Sequence, residues 1–371
     1  MAKKSLKVGK RTVKVIFLCV TVFMALLLVA SAWGGLIDPR KSILFALLTL
    51  GLPVVLIVNI ALIVVWLISM RWQYALIPVV AILISWSPIS TVCPINVFSK
   101  NYDSNSSFKV MSYNVANFDY TNQDKPSKPM RHILDMNADF VLMQEGSQER
   151  YFLTVPNVIG MREEIEQKYP YHSDGYRDLV ILSKYPYSVV PNSAFETNSS
   201  HDVYAKAFDI EMPSGKQLRI ISLHLRSMGM DRSDRDLYSD ILGREVNVNN
   251  RSNLKRIKHS LFDKLGRAFV LHAQEAEIVR SMIDNGPDNV IVCGDFNEAP
   301  SSYCYRIIRG EDFHDSFQDC GCGITYTFNA NRMYFKIDHI LYRGDMEAVG
   351  WRRDKIADSD HYPQMATFVW K

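Results

Sequence analysis

The stretch Asn289-Val290-Ile291-Val292-Cys293-Gly294-Asp295-Phe296-Asn297 combines a strand pattern with polar side chains at its end. Its four apolar residues before Gly294 are typical of a strand in the protein interior. Asp295 and Asn297 lie two residues apart, so both side chains point to the same side of an extended chain. A buried strand with polar groups at its carboxyl end is typical of sites in layered α/β folds. By itself, this stretch also fits an ordinary strand-ending turn.

The first hundred residues have the composition of a membrane region. They contain ten Lys and Arg residues but a single acid, Asp38. Three uncharged apolar runs of 19, 28 and 19 residues follow the basic start, at Val15–Trp33, Ile43–Met70 and Tyr74–Val92. A helix needs roughly 20 apolar residues to cross a bilayer, so all three qualify by length. We predict transmembrane helices at about 15–36, 43–70 and 74–92, after a basic cytoplasmic tail at 1–14. Aromatic residues lie at the ends of these runs, as expected at a membrane interface.

Two alternatives to this topology stay open. The basic start and Val29-Ala30-Ser31-Ala32 also resemble a cleaved signal peptide, although two further apolar runs follow it. The third run contains prolines and serines and is compatible with an interfacial segment. With three spans, the charge of the tail places it in the cytoplasm. The rest of the chain then lies outside the cytoplasm of a bacterial inner or cell membrane, whereas two spans would reverse this.

After a polar linker at 93–107, short strands alternate with helical stretches over residues 108–371. This alternation predicts one large α/β domain. A charged insert at about 227–267 interrupts it, with ten Arg or Lys residues and six acids from Arg226 to Arg267. The simplest interpretation is a solvated helical excursion, and the alternative is a lid over a substrate site. The domain is mildly acidic overall, which gives no general argument for nucleic-acid binding.

Six cysteines are scattered along the chain. They are too few for a disulfide scaffold, and no Cys/His spacing resembles a zinc site. These cysteines do not indicate whether the protein lies in an oxidising or a reducing compartment.

Six strands or strand edges end in side chains that can do chemistry. Most of these side chains have an ordinary structural explanation, such as a turn cap, a surface ion pair or a hydrogen-bonded core histidine. Asp338 is harder to explain, because a carboxylate between apolar neighbours needs a partner once it is buried. The six positions are Asn114, Glu145, Asp178, His224, Asp295 with Asn297, and Asp338 with Asp360 and His361.

The order of these motifs resembles the endonuclease/exonuclease/phosphatase superfamily, the deoxyribonuclease-like proteins. The resemblance implies a four-layer α/β sandwich, two packed mixed sheets flanked by helices, here preceded by a transmembrane helical region. It also implies an enzyme, a metal-dependent hydrolase of phosphoester bonds. The resemblance runs from about Phe108 to Lys371 and rests on Ser-Tyr-Asn114-Val, Met-Gln-Glu145, Leu-Ser-Lys-Tyr-Pro186, Leu-His224-Leu, Gly-Asp295-Phe-Asn297, Ile-Asp338-His-Ile-Leu and Ser-Asp360-His361-Tyr-Pro.

The resemblance implies a metal site. Glu145, with Asn114 beside it, corresponds to the principal site for Mg²⁺ or Mn²⁺, hard cations that prefer oxygen ligands. Asp295, Asn297 and Asp360 correspond to the facing side, where a second metal or the attacking water lies.

It also implies roles in proton transfer. His361 corresponds to the general base, with Asp338 holding its imidazole in one tautomer. His224 corresponds to a donor to a phosphate oxygen in the transition state. Tyr176 and Asp178 are similar to the Tyr-x-Glu of pancreatic-type deoxyribonucleases, where the acid supports the second histidine.

The substrate is less well defined than the reaction. Cys293 stands where inositol phosphatases have Trp before Gly-Asp, and His339 stands where abasic-site endonucleases have an aromatic residue. We expect nucleic acid as the first candidate substrate, cleaved by a nuclease or phosphodiesterase. A phospholipid of the surrounding bilayer is the second, cleaved by a sphingomyelinase-like or phosphoinositide-type phosphodiesterase or phosphatase. An inactive membrane scaffold is a third possibility, and the sequence indicates no protein partner.

Overall fold

The structure is a computed structural model. It describes residues 2–119, 125–146, 152–173, 178–191, 204–228, 251–330 and 333–371, with residues 2–10, 105, 119 and 251–261 described by their backbone alone.

Two six-stranded sheets form the frame of residues 107–371. The first has the order β11-β12-β1-β2-β4-β3, and the second β5-β6-β7-β8-β10-β9. In each sheet one central pair is parallel, β1 with β2 and β7 with β8, and the other pairings are antiparallel. The strands are β1 (Ser107–Asn114), β2 (Phe140–Gln144), β3 (Tyr171–His172), β4 (Val180–Ser183), β5 (Tyr187–Val189), β6 (Ala205–Glu211), β7 (Gln217–His224), β8 (Val290–Asp295), β9 (His314–Asp315), β10 (Asp338–Arg343), β11 (Met346–Arg353) and β12 (Gln364–Trp370).

The two sheets pack face to face, and helices cover their outer faces. Side chains such as Phe108, Phe140, Phe208 and Ile291 are fully buried in the cluster between the sheets. This confirms the predicted four-layer α/β sandwich. The helices over the first sheet are α6 (Lys128–Met136), α7 (Pro156–Ile159) and α8 (Arg162–Lys168). Those over the second are α9 (Arg251–Asp284) and α10 (Tyr303–Arg309), and α11 (Ser316–Cys320) lies against β10 and β11.

The N-terminal region is helical throughout. Its helices are α1 (Ala2–Trp33), α2 (Ile43–Leu50), α3 (Leu52–Ile68), α4 (Trp72–Ile84) and α5 (Trp86–Val92). Among the described residues, the segment Arg11–Leu36 is long and apolar enough to cross a membrane. The two later apolar runs are each a bent pair, α2 with α3 at 61° and α4 with α5 at 75°, and either pair would add a span if it crosses as one unit.

The bend between α2 and α3 has a local cause. Gly51 separates the two helices, and Pro53 lies in the first turn of α3. Proline lacks the N–H that a continuing helix would use, but it is well suited to a helix start. The apolar run at 43–70 therefore contains two short helices rather than one straight one.

The N-terminal helices contact the α/β domain through closely packed segments. A Cβ on Gly35 would lie 1.9 Å from the carbonyl oxygen of Ser301, so the loop after α1 touches the domain backbone to backbone. Arg40 forms an ion pair with Glu277 of α9. After α5, the Asn96 side chain donates to the carbonyl oxygens of Gln318 and Gly321, each at 2.8 Å.

The charged insert is partly a continuous helix. The amphipathic pattern of 268–283 predicts a helix that starts at Ala268, whereas α9 begins 17 residues earlier, at Arg251, and continues to Asp284. The preceding part of the insert, 229–250, lies outside the described residues.

Candidate active site at the carboxyl ends of the central strands

Three predicted site residues lie at one level of the second sheet. His224 ends β7 and is the register partner of Asp295, which ends β8, and Asp295 is also the register partner of Asp338, the first residue of β10. Register partners on neighbouring strands point to the same face of a sheet. In the first sheet, Asn114 and Gln144 are register partners at the ends of β1 and β2. Both parallel pairs thus bring polar residues to the same edge of the sandwich.

The backbone at Gly294, directly before Asp295, requires a glycine. Its φ of +144° is unfavourable for other residues, and a Cβ would lie 1.9 Å from the carbonyl oxygen of Leu223 on β7. Glycine therefore allows β8 to approach β7 closely just before Asp295. This places the Asp295 carboxylate within reach of groups from both sheets.

His361 and Asp338 form a buried pair. The Nδ1 atom of His361 lies 3.0 Å from Oδ2 of Asp338, and the backbone N–H of Asp338 donates to Oγ1 of Thr327 at 3.1 Å. Burial disfavours the charged imidazole, but the Asp338 and Asp295 carboxylates outweigh it and raise the pKa of His361 to about 10. Burial also opposes ionisation of Asp338, yet the adjacent imidazole lowers the pKa of that carboxyl.

Asp295 lies at the centre of the site. Its Oδ2 atom accepts a hydrogen bond from Nδ2 of Asn114 at 3.2 Å, and it lies 3.5 Å from Nε2 of His361 and 3.9 Å from Nε2 of His224. Its Oδ1 atom accepts from the backbone N–H of Asn297 at 2.8 Å. Burial raises the pKa of Asp295 to about 6 against the opposing effect of His361.

His224 forms the second acid–histidine pair. Its Nδ1 atom contacts Asp178, whose other carboxylate oxygen accepts the backbone N–H of Glu145 at 2.9 Å. Its Nε2 atom lies 3.9 Å from the carboxylates of Glu145 and Asp295 alike. Burial lowers the affinity of this imidazole for a proton, but the Asp178 charge dominates and raises the pKa of His224 to about 9.

Glu145 and Asn114 connect the first sheet to this centre. The Nδ2 atom of Asn114 donates to Glu145 at 3.1 Å as well as to Asp295, so two carboxylates converge on one amide group. Glu145 has a positive φ of 51°, which turns the chain sharply after β2. Asn117, which we did not predict, also donates to Glu145, at 3.4 Å.

The donor set fits a hard divalent cation. Glu145 and Asp295 bring carboxylate oxygens together beside Asn114, and such oxygens are the ligands that Mg²⁺ and Mn²⁺ prefer. Among the described residues, ligand atoms of Asp295, Asp338 and His361 also lie within 4.8 Å of one another. A cation there would compete with the His361–Asp338 hydrogen bond, so the Glu145–Asp295 side fits better.

The remaining predicted site residues are Asn297, Asp360 and Tyr176. Asn297 lines the cavity above the site, while its Nδ2 atom donates to the carbonyl oxygen of Leu225 at 2.9 Å. Asp360 also lines the cavity, and its carbonyl oxygen accepts from Asn329. Tyr176 lies outside the described residues.

The cavity above these residues has a volume of about 390 Å³. Its polar part consists of Ser227 and six predicted site residues, Glu145, His224, Asp295, Asn297, Asp360 and His361. The remaining lining is largely apolar and includes residues from the N-terminal helices, which sequence reasoning did not connect with the site. No local pattern indicates such a contact, because it depends on how the helices pack against the domain.

Two family models match parts of this sequence. Residues 111–361 match the model of the Endonuclease/Exonuclease/phosphatase family. Residues 14–92 match the model of a domain of unknown function, DUF8431. No curated protein matches the sequence.

Several solved structures are similar at low identity. A humanized D. rerio TDP2 is 16% identical with a TM-score of 0.46, over 71% of this chain and 99% of that chain. The human Nocturnin catalytic domain with bound sulfate is 15% identical with a TM-score of 0.46, over 72% and 95%. An endonuclease/exonuclease/phosphatase family protein from Bacteroides thetaiotaomicron is 13% identical with a TM-score of 0.42, over 71% and 98%.

The family match decides the classification, because it covers more than half of the chain and includes the site motifs from Asn114 to His361. The protein therefore belongs to the endonuclease/exonuclease/phosphatase family, whose members are enzymes that hydrolyse phosphoester bonds.

Proposed function

We propose that this protein is a membrane-anchored, divalent-metal-dependent phosphoester hydrolase in which His361 activates the attacking water. The observation that carries the proposal is the arrangement around Asp295. Two histidines, each paired with its own carboxylate, direct their Nε2 atoms towards this residue, at 3.5 Å from His361 and 3.9 Å from His224.

Glu145 and Asp295 would hold the cation, and Asn114 would keep their carboxylates in place through its shared amide group. A bound Mg²⁺ or Mn²⁺ would neutralise charge on the phosphoryl oxygens. Asn297 and Asp360 face the same cavity and are available to position the substrate or a water molecule.

His361 is suited to accept a proton at Nε2. Asp338 binds Nδ1, which fixes the tautomer and stabilises the imidazolium once it forms. A general base has to be neutral at the start of the reaction, whereas the pKa of about 10 keeps His361 protonated at neutral pH. The Asp338 and Asp295 carboxylates cause this rise, and a cation held by Asp295 would offset the second of these charges and so favour the neutral imidazole.

His224 is suited to the opposite task. Asp178 holds its Nδ1 atom, and the raised pKa of about 9 keeps a proton on the ring at neutral pH. The protonated Nε2 atom faces the space between Glu145 and Asp295, where it can donate to a non-bridging phosphate oxygen. The two histidines thus divide base and donor functions between them.

The contacts of the N-terminal helices support the three-span orientation. Trp33, Arg40 and Asn96, which touch the α/β domain, come from the end of α1, the loop after it and the segment after α5. At the opposite end of the bundle, Trp66 donates to Thr21 of α1 at 3.0 Å. The N-terminal half of α1 therefore lies beside the α3–α4 turn, away from the domain. With the basic tail in the cytoplasm, the α/β domain lies outside it.

The experiment uses the full-length chain in detergent micelles. Hydrolysis of bis(p-nitrophenyl) phosphate would be followed with Mg²⁺, with Mn²⁺ and with a chelator. The His361→Ala variant is compared with His314→Ala, whose side chain is 61% exposed on β9 and outside the site. We expect metal-dependent hydrolysis that is lost with His361 and kept in His314→Ala. Equal activity in both variants would contradict the proposal, and absence of turnover by the wild type would favour the inactive scaffold.

Nucleic acid and phospholipid both contain the phosphoester bond that this site would cleave. The choice of nucleic acid as first substrate stays a prediction from the sequence. The cavity lining favours phospholipid.

A further inference from the structure

The cavity over the catalytic residues has one wall made by the N-terminal helices. Leu50 ends α2, Gly51 forms the break, and Val54 lies in the first turn of α3. All three line the same cavity as Asp295 and His361. The bend that interrupts the second apolar run therefore lies directly beside the site of phosphoester hydrolysis.

Packing of α2 against α9 holds this wall in place. Ala46 of α2 is buried in a cluster with Leu265, Ala268 and Phe269 of α9, and Leu47 and Leu50 pack against it. Leu265 and Met228 of this cluster line the cavity from the domain side. The α2–α3 wall and the domain thus share one apolar cluster.

The rest of the lining gives the cavity two chemically different sides. Phe328, Met333, Phe335 and Ile337 add apolar surface contributed by the α/β domain itself. The polar groups are the catalytic and metal-binding candidates at the strand ends, together with Ser227. A ligand that fits both sides carries a phosphate next to a hydrocarbon portion. The hydrocarbon would cover the apolar lining, and burial of apolar surface is favourable by about 25 cal/mol of free energy for each Å² removed from water.

The apolar wall also continues out of the cavity. Val54 is 65% exposed although it lines the cavity, and Ile57, one turn further along α3, is 54% exposed. In a membrane helix such side chains face the lipid hydrocarbon. An apolar path thus leads from the phosphate site along α3 towards the bilayer interior.

We propose that the substrate is a phosphoester of a membrane lipid, which enters sideways from the bilayer at the α2–α3 bend. This inference rests on the proposed hydrolase function. The lipid phosphate lies over Asp295 and His361, and the hydrocarbon next to it lies against Leu50 and Val54. Water supplies the oxygen that bonds to phosphorus, the ester P–O bond breaks, and the released alcohol oxygen takes up a proton, so one water is consumed.

Nucleic acid fits this cavity less well. A nucleic acid brings no hydrocarbon to cover Leu50, Val54, Met228 and Leu265, and its charged backbone would lie against a membrane helix. The acidic balance of residues 101–371, with 38 acids against 32 Lys and Arg residues, gives no compensating attraction. The apolar wall therefore discriminates between these two phosphoester classes.

The test uses the full-length chain in nanodiscs of phosphatidylcholine and phosphatidylglycerol. Turnover of the lipids is compared with that of bis(p-nitrophenyl) phosphate and of single-stranded DNA, for the wild type, Val54→Trp and Val64→Trp. Val64 is exposed on the same helix but does not line the cavity, so it is the matched control. Because Trp at position 54 fills the lipid path, we expect the ratio of lipid to soluble diester turnover to fall at least tenfold, with no change in Val64→Trp.

A second readout does not depend on catalysis. A phosphatidylcholine carrying a photoactivatable diazirine close to its head group is cross-linked to the protein in the same nanodiscs, and labelled peptides are identified by mass spectrometry. Labelling of Leu50 or Met228 that is lost in Val54→Trp supports lipid in the cavity.

The outcomes separate this inference from the proposed function. Hydrolysis of DNA or soluble diester with intact lipids and no cavity labelling overturns the lipid inference and leaves the hydrolase function standing. If no substrate is hydrolysed, the proposed function fails. Cavity labelling would then still support lipid binding at the bend, and its absence would overturn that as well.

Discussion

Val54, at the start of a helix in the N-terminal apolar region, and His361, in the eleven residues at the end of the chain, line one cavity of about 390 Å³. The N-terminal helices and the α/β domain therefore both contribute to one cavity. A tether alone would need only a flexible linker, whereas here a helix bend completes the cavity wall. Under our lipid proposal, this relationship connects the N-terminal apolar region with substrate choice.

Asp338→Asn tests the orientation of the general base. The side chain keeps its size but loses the charge that holds Nδ1 of His361, so we expect kcat to fall by about 10²–10⁴ with little change in KM. Steady-state kinetics with bis(p-nitrophenyl) phosphate measures this. Asp345→Asn is the control, because that carboxylate is 61% exposed and paired with Lys216. Equal kcat values for the two variants would rule out a role for Asp338.

The His224–Asp178 pair predicts a pH dependence of stability in the metal-free protein. The pKa of His224 is raised from 6.5 to about 9 in the folded state, so its stabilisation is complete below pH 6.5 and is lost as pH rises through about 9. We expect the free energy of unfolding to fall across this range. In His224→Gln the fall becomes shallower, with a residual part from His361.

Chemical denaturation at several pH values measures this slope. His314→Gln is the control, since that side chain lies outside the site. An unchanged slope in His224→Gln would mean that the His224–Asp178 pair does not cause the pH dependence of the free energy of unfolding.

Cation binding should depend on pH through Asp295. Its pKa of about 6 means that protons compete with the metal at lower pH. At neutral pH, Mg²⁺ at 100 times its Kd stabilises a protein by about 2.7 kcal/mol. We expect the increase in Tm caused by Mg²⁺ to shrink below pH 6 and to disappear in Glu145→Gln at any pH. Glu163→Gln, on the exposed face of α8, serves as control, and a full Tm increase in Glu145→Gln would exclude Glu145 as a ligand.

Gly35→Ala tests the contact between the N-terminal helices and the domain. The added Cβ would lie 1.9 Å from the carbonyl oxygen of Ser301, so one of the two segments has to move. Overpacking of this kind costs about 1–3 kcal/mol, and we expect a lower Tm. Gly160→Ala adds the same atom where nothing lies within 4 Å. Equal Tm values for the two variants would mean that the contact at Ser301 is absent in the protein.

The strand signals in the sequence were strong where burial is continuous. β8 and β2 are apolar runs in the sequence, and the strand patterns on either side of Pro213-Ser214-Gly215 predict the hairpin of β6 and β7. β11 was not predicted, because Glu347, Gly350 and Arg352 break its pattern and a register shift interrupts it at Ala348/Gly350. The periodicity of apolar residues reveals a strand when buried and exposed side chains alternate regularly, and in β11 they do not.

The site was predictable for a different reason. Polar residues at the ends of predicted strands are recognisable in the sequence. The family resemblance implies that His361 pairs with Asp338 and that Asp178 pairs with the second histidine, His224. In the structure, the members of each pair are in contact. Their roles in catalysis stay predictions. Leu50 and Val54 could not have been assigned to the cavity, because composition places them in a membrane span and their position depends on long-range packing.

The most direct test of the account is ³¹P NMR of the full-length protein in lipid nanodiscs with added bis(p-nitrophenyl) phosphate. This measurement detects cleavage of either phosphoester in one sample, with Mg²⁺ or Mn²⁺ and with chelator. We predict new phosphorus resonances that require the metal and are absent in His361→Ala. Resonances that grow equally fast in His361→Ala, or without metal, would contradict the mechanism.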